Sequence, residues 1–351
     1  MSLPNTLPLA LGLILFSFLI TSVVVVPFIN LLYKLNLTRK KEAPRRGKVP
    51  VFDKFHDIKA GTPVGGGSLI ILVVLLLFLF LFPFASHMGV YIRSSFNFKW
   101  ELFAIFFTFI SFGLLGLSDD LMKTFVEPKP GILGLWFGMP RKMKFMIQWI
   151  LAFIISLVLY YRLGIQIVHI PFVNVNLNFG ILYLLFSSLV IVSFANAFNV
   201  TDGLDGLSVG LFLICLVTFG VIASANLDTP LSLFIALLIG SLLAFLYFNV
   251  WPARVFLGDA GALSFGAILA VIGLLTGGIV ALVIVGGLFV VEIFSSLVQI
   301  IGWKYLRKPI LPIAPLHHSF LVWGWEEPKI VFRAWLIGVI LAIFGLWLSV
   351  I

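Results

Sequence analysis

Apolar residues dominate ten runs along the chain, roughly at 7–33, 65–88, 100–118, 145–164, 180–198, 207–225, 230–249, 260–277, 279–302 and 330–350. A helix rising about 1.5 Å per residue crosses a hydrocarbon layer about 30 Å thick in some 20 residues, and a helix satisfies its own backbone without water. Each run therefore predicts one membrane-spanning helix. The fold class expected is an all-α polytopic membrane protein of about ten transmembrane helices, with residues 1–351 forming a single integral-membrane domain without internal repeats. A tight turn at Gly277 and Gly278 joins the eighth and ninth runs. Three connections are long: 34–64, 119–144 and 303–329. The stretch 165–178 (IQIVHIPFVNVNLN) partly alternates apolar and polar residues and is β-branched, which predicts a short extracytoplasmic β-hairpin.

Composition removes the alternatives to a membrane protein. The chain is 61% hydrophobic and 11% charged, with mean hydropathy +1.18, too apolar for a soluble domain of this size. The net charge is +9, and if the runs alternate across the bilayer, 20 of the 23 Lys and Arg fall on one side. The positive-inside rule makes that side cytoplasmic and both termini extracytoplasmic. The basic surplus then sets topology and meets anionic lipid or phosphate, with no call for nucleic acid. The segment Arg39 to Lys48 reads as such an anchor. The first run lacks a basic leader and a small-residue cleavage site, so it reads as a retained helix. The one cysteine, Cys215, excludes an intrachain disulfide and any multi-cysteine metal site.

Polar clusters then stand out against the apolar runs. Asp119 and Asp120 follow the third run, Asn199, Asp202 and Asp205 follow the fifth, Asp259 precedes the eighth, and His317 and His318 follow the ninth. The alternating topology brings all of them to the cytoplasmic face. Carboxylates gathered at a bilayer edge suit a hard divalent cation holding phosphate. The bland reading of Asp119-Asp120 is a solvated helix end, although adjacent like charges there call for a cation such as Mg²⁺ or Lys123. Asp202 and Asp205 share a face if their segment is helical, or Thr201 or Asp202 caps the start of the sixth run. Gly258 and Gly261 flank Asp259 as a phosphate- or metal-wrapping loop would. Lys59, before a Gly-Thr-Pro turn and a glycine run, suits a phosphate cradle or a charge anchor. Phe256 is a core residue or a stacking surface. Two adjacent histidines in a loop are commonly a surface accident. Glu292 lies at depth in the ninth run and is by default either functional or paired, with no partner evident in the sequence; Gln299 lies two turns further on. A transporter is the rival of another class, but coupling-ion sites lie near the bilayer midplane. A catalytically dead scaffold is a third reading, disfavoured by the complete aspartate set.

These motifs in this order, DD, NVTDGLDG and GD, with KAGTP, APLHH and GWEEPKIVFRAW, resemble the polyprenyl-phosphate N-acetylhexosamine-1-phosphate transferase superfamily, and within it the phospho-N-acetylmuramoyl-pentapeptide-transferase branch. The resemblance runs from about Lys54 to Trp335. It implies transfer of phospho-N-acetylmuramoyl-pentapeptide from UDP-N-acetylmuramoyl-pentapeptide to undecaprenyl phosphate, giving lipid I and UMP in peptidoglycan synthesis. It also implies Mg²⁺, a homodimer and a cytoplasmic cleft in the bacterial plasma membrane. The alternative is a sister transferase using UDP-N-acetylglucosamine or a related UDP-sugar. By resemblance Asp259 matches the Mg²⁺-binding aspartate, and Asp119 and Asp120 the catalytic pair. Lys123 and Lys144 match phosphate-facing residues, and Asn199, Asp202 and Asp205 line the nucleoside side. Lys59, Asn249, Phe256 and Gln299 fall on cleft positions, with Phe256 placed to stack on uracil. His317 and His318 match the first two of three family histidines. Here Ser319 stands for the third, Leu321 for an acidic residue, and Val64 for a hydroxyl in the GTPVGGG segment.

Overall fold

The computed structural model describes residues 6–39, 59–85, 92–125, 129–131, 134–136 and 138–350. Most of the expected basic anchor, 40–48, lies outside them. Ten helices among the described residues are long and apolar enough to cross a membrane. In chain order the elements are α1 (Thr6–Lys34), α2 (Gly66–Ala85), α3 (Phe98–Phe125), β1 (Lys129–Gly131), β2 (Gly134–Trp136), α4 (Arg141–Tyr161), β3 (Ile167–Ile170), β4 (Val175–Asn178), α5 (Tyr183–Thr201), α6 (Leu207–Ala225), α7 (Thr229–Asn249), α8 (Gly258–Leu275), α9 (Ile279–Val285), α10 (Gly287–Ile301), α11 (Leu316–Val322) and α12 (Glu327–Val350).

Small residues decide the centre. α8 reads GDAGALSFGAILAVIGLL and is the most enclosed helix, with α2, α3, α5 and α6 packed around it. Among helices in lipid, close backbone approach supplies the packing that water would otherwise drive. At Gly116 a Cβ would stand 2.1 Å from the Asp259 carbonyl oxygen, so only glycine lets α3 lie against the start of α8. α1 packs on α7 and is tied there by buried hydroxyls: Ser17 Oγ donates to Leu237 O at 2.7 Å, and Thr21 to Ser241 Oγ at 3.0 Å. The outward faces of α1, α4 and α12 carry exposed Leu, Ile and Phe, as lipid-facing helices do.

Three expectations change. The ninth run is two helices, α9 and α10, broken at Gly286 and followed by a π-helical turn over Gly302–Leu306. Consecutive glycines, Gly286 and Gly287, permit the break, and a Cβ at Gly286 would press within 2.8 Å of both Leu282 O and Phe194. The third helix runs on to Phe125, so Asp119 and Asp120 sit within it and do not follow it. The connection after α3 contains the antiparallel pair β1–β2, which the Pro and Gly of that segment did not announce. The expected hairpin near 165–178 is present as β3–β4, paired from Ile167↔Asn178 to Ile170↔Val175, with Asn174 left-handed in the turn.

Candidate active site

The C-terminal ends of α3, α5 and α7 and the N-terminal ends of α2, α4, α8 and α12 share one end of the bundle. At their meeting point Asp119 and Asp259 stand around two ammonium groups. Lys123, one turn after Asp119 on α3, reaches Asp119 Oδ2 at 3.0 Å and Asp259 Oδ2 at 2.9 Å. Lys144, in the first turn of α4, reaches Asp119 Oδ2 at 2.9 Å and also pairs with Asp259. The Met139 backbone N–H donates to Asp119 Oδ1 at 2.6 Å, and Asn199 Nδ2 donates to Asp259 Oδ1 at 3.2 Å. The buried Asp119 and half-buried Asp259 carboxylates therefore face the same small volume and are bridged by two cations.

Asp120 differs from its neighbour. Its Oδ1 accepts from Asp259 N and its Oδ2 from Ala260 N, each at 3.0 Å. A helix leaves its first N–H groups unpaired, and Asp120 satisfies two of them from another helix. It holds the start of α8 where Asp259 projects.

The 199–206 segment is not helical throughout, so Asp202 and Asp205 do not share a helix face. Thr201 and Asp202 end α5 and neither caps α6, whose N-cap is the left-handed Gly206. Asp202 Oδ1 accepts from Ser208 Oγ. Burial pushes the Asp202 carboxyl up to about 6, the Ser208 bond and Arg39 oppose this, and Asp259 and Asp205 add to it. Asp205 turns to Lys59, whose ammonium bonds Asp205 Oδ1 at 2.6 Å and also Glu327 Oε1. Asp205 Oδ2 accepts from Ala253 N at 2.9 Å, and Asp205 N donates to Glu327 Oε1 at 2.7 Å. Lys59 is buried in this triad, which ties the segments before α2, α6 and α8 to the start of α12. Its charge is engaged by protein carboxylates.

Phe256 is half-buried beside the GTPVGGG segment: its N–H donates to Pro63 O at 2.8 Å, and its O accepts from Gly66 N at 2.9 Å. Asn249 donates to Val255 O at 3.0 Å, while its buried Oδ1 has no donor among the described residues. Gln299 braces the following loop, accepting from Ile310 N and Leu311 N at 3.1 and 2.9 Å and donating to Leu311 O at 3.0 Å.

His317 and His318 are buried on α11, so they are no surface accident. Glu292 has its partner here: Oε2 stands 3.1 Å from His317 Nδ1 and accepts the His317 backbone N–H at 3.3 Å. The far side of the ring faces the 199–206 segment, where a Cβ on Gly203 would meet His317 Nε2 at 2.3 Å. Ser319 points elsewhere. It is fully buried and its hydroxyl donates to Ile313 O, so it pins a loop.

Sequence reasoning did not single out Glu327, Ser208, or the pair in which Asn196 Nδ2 donates to Gln148 Oε1 at 2.6 Å one turn from Asn199 and Lys144. Glu327 carried a signal, an acidic residue before Pro328 at the start of a helix on the basic side. At the opposite end of the bundle, Asp228 caps α7 through Leu231 N at 3.1 Å, and burial raises its carboxyl.

The donor set fits Mg²⁺. No group of three or more His, Cys, Asp or Glu among the described residues forms a closed cage. Mg²⁺ at phosphoryl sites typically takes one or two carboxylates and completes its shell with water and substrate phosphate. Asp259 and Asp119 offer hard oxygens of that kind, turned toward a shared cationic volume.

Fold and site together define a multi-pass membrane protein with a carboxylate–lysine centre at one end of its bundle. The model of the family described as "Glycosyl transferase family 4" matches residues 102–277. A phospho-N-acetylmuramoyl-pentapeptide-transferase of Rickettsia canadensis (strain McKiel) is 38% identical over 310 residues, covering 83% of this chain and 80% of the relative. One from Geobacillus sp. (strain WCH70) is 32% identical, covering 96% and 97%. One from Bacillus velezensis is 31% identical with the same coverage. The chain belongs to glycosyl transferase family 4, and within it to the phospho-N-acetylmuramoyl-pentapeptide-transferase family.

Proposed function

We propose that this chain transfers phospho-N-acetylmuramoyl-pentapeptide from its UDP carrier to undecaprenyl phosphate, forming lipid I and releasing UMP in peptidoglycan synthesis. It acts as a Mg²⁺-dependent enzyme whose site faces the cytoplasm of a bacterial plasma membrane, and as a homodimer. One observation carries the reading beyond family membership: Asp119 and Asp259 converge on the same two lysines. Phosphoryl transfer needs chiefly positioning and charge neutralisation, and this arrangement supplies both.

Lys123 and Lys144 neutralise the two aspartates. With substrates present, the same ammonium groups turn to phosphate oxygens. Mg²⁺ held by Asp259, and within reach of Asp119, would supply the remaining neutralisation of the pyrophosphate and of departing UMP. Asn199 holds the Asp259 carboxylate in orientation. Asp120 is a positioning residue that sets the start of α8. Asp119 orients the lipid phosphate, and because the second phosphate ionisation lies near pH 6, little base strength is asked of it. Direct attack by that phosphate is the expected route, so without lipid acceptor the enzyme exchanges no labelled UMP into the UDP-sugar. Rapid exchange would replace this route by one through an aspartyl-phosphate.

The test is UMP release by purified protein with undecaprenyl phosphate and Mg²⁺, offering UDP-N-acetylmuramoyl-pentapeptide and UDP-N-acetylglucosamine separately. Turnover with the first alone supports the proposal. Turnover with the second alone moves the chain to the sister activity.

A further inference from the structure

The Arg39 guanidinium lies over the Phe256 ring, 5.7 Å from its centroid. Both residues are fixed by their backbones. Arg39 N donates to Thr62 O at 2.9 Å and Arg39 O accepts from Gly61 N at 3.0 Å. Thr38 bridges Pro63, and Val64 bridges Phe256. Three short extended pieces thus lie side by side, with Arg39 on one outer edge, Phe256 on the other and the Pro63–Val64 backbone between them. The positive charge of Arg39 also acts on the Asp202 carboxylate, favouring its ionised form.

A guanidinium is flat and cationic, and it stacks on aromatic faces within about 6 Å of the centroid. Nucleobases stack on the same two partners. A ring inserted between two flat groups needs about 7 Å between them, two contacts of about 3.5 Å. A small outward swing of the flexible Arg39 side chain opens that space, while its anchored backbone keeps it over the slot.

We infer that Arg39 is the second face of the base slot: the uracil ring of the nucleotide lies between Phe256 and the Arg39 guanidinium. The inference deepens the uridine-nucleotide reading above and rests on it. It also gives Arg39 a role other than charge anchor.

The full chain in detergent is compared as wild type, R39A, R39K and R39Q. Readouts are kcat, KM for the nucleotide, KM for the lipid phosphate, and inhibition by UMP and by ribose 5-phosphate, which lacks the base. In R39A the nucleotide KM and the UMP inhibition constant rise about tenfold, in line with the loss of one stacking face. Its kcat, lipid KM and ribose 5-phosphate inhibition stay at wild-type values. R39K recovers little, because an ammonium does not stack, and R39Q reports the same loss should R39A unfold. Unchanged UMP affinity in R39A or R39Q overturns the inference. So does an equal loss for UMP and ribose 5-phosphate, which marks phosphate pairing, or full recovery by R39K. A wild-type enzyme that turns over a nucleotide of another base, and ignores UMP, overturns the uridine reading itself.

Discussion

At the scale of single residues, the two members of Asp119-Asp120 separate by what their oxygens hold. Asp119 meets two lysine ammonium groups through one oxygen and the Met139 N–H through the other, whereas Asp120 spends both oxygens on backbone N–H groups at the start of α8. Asp259→Asn keeps the fold and abolishes UMP release, and substantial residual turnover would remove Asp259 from the metal role. Lys144→Gln leaves one ammonium to neutralise two carboxylates, so kcat falls about 100-fold, a loss typical of removing one preorganised charge partner, measurable by the same UMP assay. Asp202 gives a pH signature. Its folded carboxyl lies near 6 against an ordinary 3.8, so the folded state binds that proton more tightly. The resulting stabilisation is present below about pH 4 and is lost as pH rises through about 6. Melting temperatures of wild type fall across that window relative to Asp202→Asn, and parallel curves for the two would refute the assignment. Much of this chemistry was legible in sequence, because a carboxylate inside an apolar run has few innocent explanations. What was not legible is which atom each carboxylate meets. Asp202 and Asp205 are three residues apart, yet one meets Ser208 and the other Lys59 and Ala253, because the chain turns at 203–206 where a helix would have aligned them.

At the scale of elements, helix starts and ends position the site. Gly116→Val drives a side chain into the Asp259 backbone, shifts α8 against α3 and removes activity, while circular dichroism stays helical. Lys59→Met leaves Asp205 and Glu327 as buried carboxylates without their cation. Breaking a buried pair this way costs about 3–5 kcal/mol, seen as a lowered melting temperature in detergent. If Lys59→Met melts like wild type and only its nucleotide KM rises, the lysine serves the ligand and not the scaffold. Run length located the spans well because the hydrocarbon layer demands it. It could not locate the break at Gly286, since both sides are apolar and a glycine pair is as common in a continuous membrane helix. It also left α11 unseen, because His317 and His318 are polar residues in a seven-residue helix, and their burial comes from Glu292 and the 199–206 turn, distant in sequence.

At the scale of the whole molecule, the proposed orientation has a direct check. Cys215 is the sole cysteine and is buried, so a Cys215→Ala background accepts single reporter cysteines. A cysteine at Lys308 reacts with an impermeant maleimide only from the cytoplasmic side, and one at Asn176, on the β3–β4 hairpin, only from the opposite side. The reverse pattern would invert the topology and with it the placement of the site. The way Asp120 grips α8 also reaches into genetics. It binds N–H groups, which every residue but proline presents alike. In a saturation library, lost function at Asp120 is therefore not rescued by changing the side chains at 259 and 260, and proline at 260 mimics the Asp120 defect. Asp119, Lys123 and Lys144 trade charge with one another and show strong pairwise epistasis. Of two adjacent and chemically identical residues, one evolves with its neighbours and the other is locked to the geometry of the main chain.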